Sequence, residues 1–533
     1  MKKTILSILT FSLVAVSCSD FIEKDERGKQ TLENYFQTAQ ECENYANELT
    51  QRLLLAKDWW TLVAPRVTNE MATDDAWMGN TGQDSGAHRP ASQYLITPDN
   101  MGDMNSIYTA HYYTIQSANI GLEKMAASPI PDAQKNQYMG ESLFVRAYCY
   151  YELVNLFGAV PLYTKVLGTS DLNLQRSPVA DVYAQIEADL KESAAKLDNT
   201  PVARNGRINK WAAYALLARV SLFQEKWAEA KLYSNKVITE GPFALEADFL
   251  NIWNVNNHNG VESILEAQTS SVQDKALGAA LPTLAGARGE DKKNFPSNDA
   301  GDVLDGWGWC MPTSDLENAY LSENDVIRRR STITKWGEAA YGDEVLNPTH
   351  KFSLNDNKSG RIIRKYYIPI ATRRALDKKD GHLPLNIPLI RLAEMYLTRA
   401  EANYHTGGDA LGDINIIRAR VKLDPKTGLS GPTLLRQIYK ERRLELAFEG
   451  LRMFDIRREK DPNTGRPVIE SLMGPNGTFV QYNLNSTDPY ETTNLREPQD
   501  KGINFNPAKH LLWPIPQLEI DLSGGVITQN PNY

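Results

Sequence analysis

One segment constrains the architecture more than any other. Between Lys210 and Pro242, Tyr214, Leu217 and Ala218 recur on one helical face, a turn follows at Gln224 to Lys226, and Trp227, Ala230, Val237 and Pro242 continue the pattern. Trp227 stands nine residues after Ala218, Ala230 three further on, and Pro242 twelve beyond that. This is the spacing of a tetratricopeptide unit, two helices that approach closely because the facing residues are small. A looser unit runs from Ile390 to Val421, with Leu397, Ala400 and Ala402 before Gly407-Gly408 and Ile414, Ile417 and Val421 after it. Single units cannot bury their own apolar faces, so further helices or an added domain must cover them.

Other segments extend the helical reading. Thr38-Ala39-Gln40-Glu41 is a capping-box sequence, and Tyr45, Leu49 and Leu53 follow at four-residue steps. Val182, Ile186, Leu190, Ala194 and Leu197 mark another helix, with Pro178 before it and Pro201 after. The rhythm breaks in 251–384, where Asn, Gly, Ser and Asp are frequent. There, short alternating stretches at Val261–Leu265 and Arg361–Ile370 predict strands. Residues 66–107 and 459–510 also read as loop-rich. The expected fold is mainly α, a tetratricopeptide-like scaffold of helical pairs in 38–250 and 385–533. Residues 251–384 are expected to form an irregular, loop-rich insertion with short strands.

The N-terminus sets the compartment. Lys2 and Lys3 precede an apolar run from Ile5 to Val16, which ends in Ala15-Val16-Ser17-Cys18. Twelve residues suit a signal-peptide core; spanning a bilayer takes about 20. Small residues before a Cys resemble a bacterial lipobox, although Ala15 stands where Leu is usual. Residues 1–17 are expected to be a lipoprotein signal, and 18–37 a lipidated Cys18 with its tether. The acidic Ser19–Glu26 stretch resembles the surface-export signal of Bacteroidetes-type lipoproteins.

Composition narrows the function. The formal charge is -8, and a chain starting at Cys18, without Lys2 and Lys3, carries -10. Such a chain has no electrostatic footprint for nucleic acid. Cys18, Cys42, Cys149 and Cys310 lie far apart without a C-x-x-C pair, and the seven His residues are scattered. Neither a zinc site nor a redox pair follows, Cys42 and Cys149 read as buried inert thiols, and no cofactor is expected. No H-E-x-x-H, Walker or G-x-S-x-G sequence occurs, so no enzyme motif is present.

Four segments in order resemble the SusD/RagB family of outer-membrane nutrient-binding lipoproteins. They are Glu141–Pro161, the unit around Trp211–Ile238, Glu441–Arg457, and Leu512–Ile520 with the end Gln529–Tyr533. The resemblance covers nearly the whole chain. It implies a helical scaffold with a loop-built binding face and a SusC-like TonB-dependent transporter over which the protein sits as a lid. It also implies an outer-membrane, lipid-anchored location facing the exterior. The charged residues Glu441, Arg442, Arg443, Glu445, Arg452, Asp455 and Arg457 are expected to lock helices together, because an Arg fork pairs bidentately with a carboxylate.

A sugar offers polar hydroxyls and an apolar C–H face, so its site needs a flat ring beside carboxylate, amide or guanidinium groups. Asp74-Asp75-Ala76-Trp77-Met78-Gly79-Asn80 supplies both, with Arg89 and Tyr94 nearby. Gly306-Trp307-Gly308-Trp309 offers two rings, on one side if the backbone is extended. Trp77, Trp307, Trp309, Asp74, Asp75 and Arg89 are therefore the candidate ligand contacts, with Tyr94, Tyr320 and Trp336 behind them. Against this stands the tendency of large aromatics to be core. Asp74-Asp75 or Asp302 with Asp305 could serve a glycosidase, but any lone pair of acids in a loop looks like this, and exposed solvation or calcium ligation is more common. Within Glu441–Arg457, Arg neighbours depress carboxylate pKa values and spoil a general acid. The favoured function is glycan capture and delivery to the transporter. A scaffold binding only proteins is the alternative, and a surface glycoside hydrolase a more distant one.

Overall fold

The computed structural model describes residues 31–54 except 33, 63–79, 88–168, 174–197, 206–270, 279–286, 306–335, 338, 359–368, 383–494 and 501–533. The signal, Cys18, the start of the tether, Trp59-Trp60, Pro201, Asp302, Asp305 and Trp336 lie outside the described residues.

The protein is mainly helical, with short strands in its irregular stretches. Helices pack in a chain of neighbours: Ala39–Leu54 against Asp103–Ala127 and Asp132–Phe157, then Val179–Lys196, Lys210–Phe223, Trp227–Glu240, Leu392–Thr406, Ala410–Arg420 and Gly431–Leu446. The capping box is reciprocal. The Glu41 carboxylate accepts from the Thr38 backbone N–H at 2.9 Å, and the Glu41 N–H donates to Thr38 Oγ1 at 3.2 Å.

The repeat spacing translates directly into packing. Ala218 and Ala230 are fully buried, and Trp227 joins Leu222, Ala230 and Ala402 in one cluster. Trp227 does more than fill its own turn: its ring stacks on His405, at 3.9 Å and 11°, joining the first unit to the second. In the second unit the helix starts at Leu392, because Ile387–Arg391 is a strand that takes Ile390 with it. Gly407, in the left-handed region at φ 78°, ends that helix.

Trp227–Glu240 and Leu392–Thr406 lie side by side despite the long stretch between them. The two ends of that stretch also meet: Ser263–Ala267 pairs antiparallel with Ile387–Arg391. Arg361–Ile363 pairs with Ile333–Lys335. The regions read as loop-rich hold short helices, among them Val468–Leu472, Thr478–Leu484 and Pro489–Asn494.

Buried ion pairs tie the layers together. Arg146 pairs with Asp189 at 2.8 and 2.7 Å, Arg219 with Glu394 at 2.6 and 2.6 Å, and Arg458 with Glu401 at 2.7 and 3.0 Å, each a two-bonded fork. The Glu441–Arg457 segment is the hub. Glu441 receives Arg328 at 2.9 Å and also Arg418; Glu445 receives Arg391 at 2.6 Å and also Arg420; Arg442 reaches Asp455 at 2.8 Å. Arg457 instead lies over the Trp513 ring at 4.5 Å, and Trp513 is buried with its Nε1 on Asn69 at 3.1 Å. Cys42, Cys149 and Cys310 are all buried, and burial raises each thiol pKa.

Candidate functional site

The stretch Asp74–Gly79 is fastened along its length to 308–313. Ala76–Trp77 pairs with Met311–Pro312, Thr313 N–H donates to Asp75 O at 2.9 Å, and Cys310 N–H donates to Met78 O at 3.1 Å. This backbone pairing fixes where each candidate side chain goes.

Asp74 and Asp75 are fully buried. Arg452 grips Asp74 with two bonds, at 2.9 and 2.8 Å, and Arg443 adds a third contact at 3.1 Å. Asp75 receives Arg443 Nε at 2.7 Å, and the same guanidinium reaches Asp315 at 2.7 Å. Burial opposes ionisation of Asp74, but the two arginines outweigh it and hold its pKa below the usual carboxylate range. Asp75 moves upward, because burial and the neighbouring Asp74 outweigh Arg443. The hydroxyl-binding role expected of both is corrected: their oxygens are enclosed by protein, and they anchor the loop to the helical hub.

Trp77 is corrected in the same way. Its ring is fully buried, against Phe479 at 6.3 Å and under Lys501 Nζ at 5.4 Å. Its Nε1–H donates to Glu491 at 2.9 Å, and Glu491 also accepts the Ser314 N–H at 2.6 Å. No local pattern points to Glu491, which lies 414 residues from Trp77. A ring so enclosed cannot offer its face to a ligand.

Trp307 and Trp309 separate. Trp309 is 2% exposed and meets His88 edge to face at 4.4 Å, so its expected platform role is also corrected. Trp307 is half-buried and stands edge-on to Trp309 at 5.1 Å and 71°. Its backbone N–H donates to Thr283 O at 2.8 Å, and Gly308 N–H donates to Gly286 O at 2.8 Å. A Cβ on Gly306 would lie 2.1 Å from the Gly286 carbonyl carbon, so only glycine permits this approach. Gly79 abuts Gly308 O in the same way. The chain on either side of 287–305, and the chain entering 80–87, therefore converge at Trp307. Arg89 is exposed at the start of the short helix Arg89–Ser92. Tyr94 and Tyr320 are buried, donating to Ala72 O at 2.5 Å and Leu444 O at 2.7 Å.

A second feature escaped sequence reading. A cleft of about 320 Å³ opens between Asp248–Asn256 and Arg364–Ile368, with Trp253 and Tyr367 among its walls. Its one sequence signal was the Asn-rich stretch beginning at Asn254. Among the described residues, no group of three His, Cys, Asp or Glu is placed to hold a metal ion, and no helix is long and apolar enough to cross a membrane.

Residues 20–222 match a family model described as starch-binding associating with outer membrane, and residues 334–533 match that of the SusD family. The chain belongs to the SusD/RagB family. A SusD-like protein of Formosa agariphila is 26% identical, with 100% of both chains covered. The starch-binding protein SusD of Bacteroides thetaiotaomicron is 26% identical over 73% of this chain and 75% of its own length. Among solved structures, a laminarin-binding SusD-like protein superposes with a TM-score of 0.75 at 25% identity, covering 93% of this chain and 99% of that one. Surface glycan-binding protein A of Bacteroides thetaiotaomicron, in complex with laminarihexaose, shares the fold at a TM-score of 0.71 and 19% identity, covering 93% of this chain and 99% of its own.

Proposed function

We propose that this protein captures glycan at the cell surface and passes it to a SusC-like TonB-dependent outer-membrane transporter, held at the membrane by lipid on Cys18. The observation that carries the reading is the near full-length similarity to the laminarin-binding SusD-like protein. In this reading 38–250 and 385–533 form one scaffold, and the insertion 251–384 contributes to the binding face.

Trp307 is the stacking platform, with Arg89 a polar contact beside the same loops. A partly exposed aromatic ring beside polar loops is unfavourable in water, and the C–H face of a sugar covers it. Asp74, Asp75, Trp77 and Trp309 support that face from beneath without touching ligand. The protein binds without turnover; in support, among the described residues Asp74 and Asp75 are already paired with arginines.

Affinity electrophoresis of the chain lacking residues 1–18, in gels containing laminarin or starch, tests this. Retardation is expected with at least one glycan and is expected to weaken in Trp307→Ala. Losing a central aromatic anchor commonly costs about 2 kcal/mol or more, roughly thirtyfold in affinity. Equal retardation of the two proteins would remove Trp307 from the site, and no retardation by any glycan would overturn the reading itself.

A further inference from the structure

The cleft between Asp248–Asn256 and Arg364–Ile368 shares no residue with the Trp307 face. Its volume, about 320 Å³, stands at the small end of the roughly 300–1,000 Å³ typical of ligand pockets. Trp253 is 4% exposed and rigidly held. Phe249 packs edge to face on it at 5.0 Å, and Lys365 Nζ lies over its ring at 4.3 Å while donating to Glu449 at 2.8 Å. On the opposite side Tyr367 is half-buried, its ring covered at 5.2 Å by the guanidinium of Arg364. Trp253 is too enclosed to offer its face and forms a fixed floor, while Tyr367 is the ring that stays partly open. Both are held in advance of any ligand, which lowers the entropic cost of binding.

The rim is polar and partly uncommitted. Asp248 uses Oδ1 to accept the Leu250 N–H at 3.0 Å, and among the described residues its Oδ2 has no hydrogen-bond partner. The exposed Asn256 side chain makes no hydrogen bond among the described residues, while its backbone N–H is held by Asn254 Oδ1 at 2.9 Å. One carboxylate, one guanidinium and several amides, set around aromatic walls, balance donors against acceptors with no excess charge. That combination suits a neutral ring bearing hydroxyls more than an anion or a cation.

We propose that this cleft is a second saccharide site, taking one or two neutral sugar units, separate from the Trp307 face. It rests on the glycan reading of the protein but not on Trp307. A second, small site on the same chain raises retention of a long glycan by effective concentration, even where each site is weak.

The test uses the chain lacking residues 1–18 with 15N-labelled tryptophan, titrated with the methyl glycosides of glucose, galactose, mannose and N-acetylglucosamine and their β-linked disaccharides. Trp253→Phe and Trp307→Phe assign the two indole signals. At least one sugar is expected to move the Trp253 signal saturably, with the same midpoint in Trp307→Ala. Asn256→Ala, at an exposed position, and Tyr367→Ala, whose ring also packs on the Trp77, Met311 and Ile362 cluster and whose fold is checked by thermal melt, are expected to raise that midpoint about tenfold, the equivalent of about 1.4 kcal/mol. A Trp253 signal that no sugar moves overturns the proposal, and movement at Trp307 alone leaves the glycan reading standing. Loss of the Trp253 response in Trp307→Ala overturns the separateness of the site. An unchanged midpoint in both Asn256→Ala and Tyr367→Ala overturns its placement in the cleft.

Discussion

Replacing Asp74 by alanine separates a ligand role from a structural one. Asp74 is fully buried, and both its oxygens face Arg452, at 2.9 and 2.8 Å. Among the described residues, the substitution leaves the Arg452 guanidinium, itself 8% exposed, with one distant ion-pair contact, to Asp75 at 3.9 Å. Removing one partner of a buried pair typically costs about 3–5 kcal/mol, because the other charge stays buried without compensation. Asp315 is 27% exposed and shares the neighbouring Arg443, so Asp315→Ala is expected to cost about 1 kcal/mol or less. Combining Asp74→Ala with Arg452→Leu removes the stranded charge. The double variant is then expected to be more stable than the sum of the single losses by about 0.5–3 kcal/mol. Urea denaturation of the four variants measures these differences, and affinity electrophoresis under folding conditions measures binding. Asp74→Ala is expected to unfold at lower urea and, while folded, to bind glycan as the parent does. A variant of parental stability that has lost glycan affinity would refute this reasoning and return Asp74 to the ligand.

Trp77→Ala is expected to lose about 3–5 kcal/mol of stability, as full truncation of a buried large aromatic does, with calorimetric melting as the readout. Burial, with Asp75 adding to it, raises the Glu70 pKa to about 8, so the folded state holds a proton that the unfolded state has released. Its stabilising contribution is complete below the ordinary value of 4.5 and is lost as pH rises through about 8. Glu70→Gln is therefore expected to melt higher than the parent at pH 9 and not at pH 5. Glu152 and Glu323 show the opposite sign. Against the penalty of burial, His111 and Arg66 around Glu152, and Lys426 and Lys440 around Glu323, lower each pKa to about 2. Their contribution is present above the ordinary carboxylate value and is lost as pH falls toward 2, so acid titration of the melting temperature is expected to fall in that window. Cys18→Ala is expected to release the protein from the outer membrane on fractionation; full retention would rule out the lipid anchor.

The sequence by itself determined the helical frame, because the periodicity of small and large residues is a local property that any helix pair must satisfy. Ala218, Trp227 and Ala230 marked a close-packed unit, Thr38 and Glu41 marked a helix start, and the Glu441–Arg457 charges marked a hub of ion pairs; the structure holds all three. It also determined the family, through four segments in order. Tertiary structure alone decided which aromatic rings are covered. Trp77 and Trp307 look alike in sequence, each in a loop with Gly and polar neighbours. Trp77 is enclosed because Phe479, Glu491 and Lys501 close over it, all more than 400 residues away. Trp307 stays partly exposed next to Gly306, where two chain segments meet at Gly286 and Gly306. Asp74 and Asp75 likewise carried no local sign of Arg443 and Arg452. The cleft at Trp253 was invisible for the same reason. Its two walls, the 3₁₀ turn Phe249–Trp253 and the loop after the strand Arg361–Ile363, meet only through long-range packing. Periodicity reports which face of an element is buried, whereas exposure of a loop ring depends on what distant chain comes to cover it.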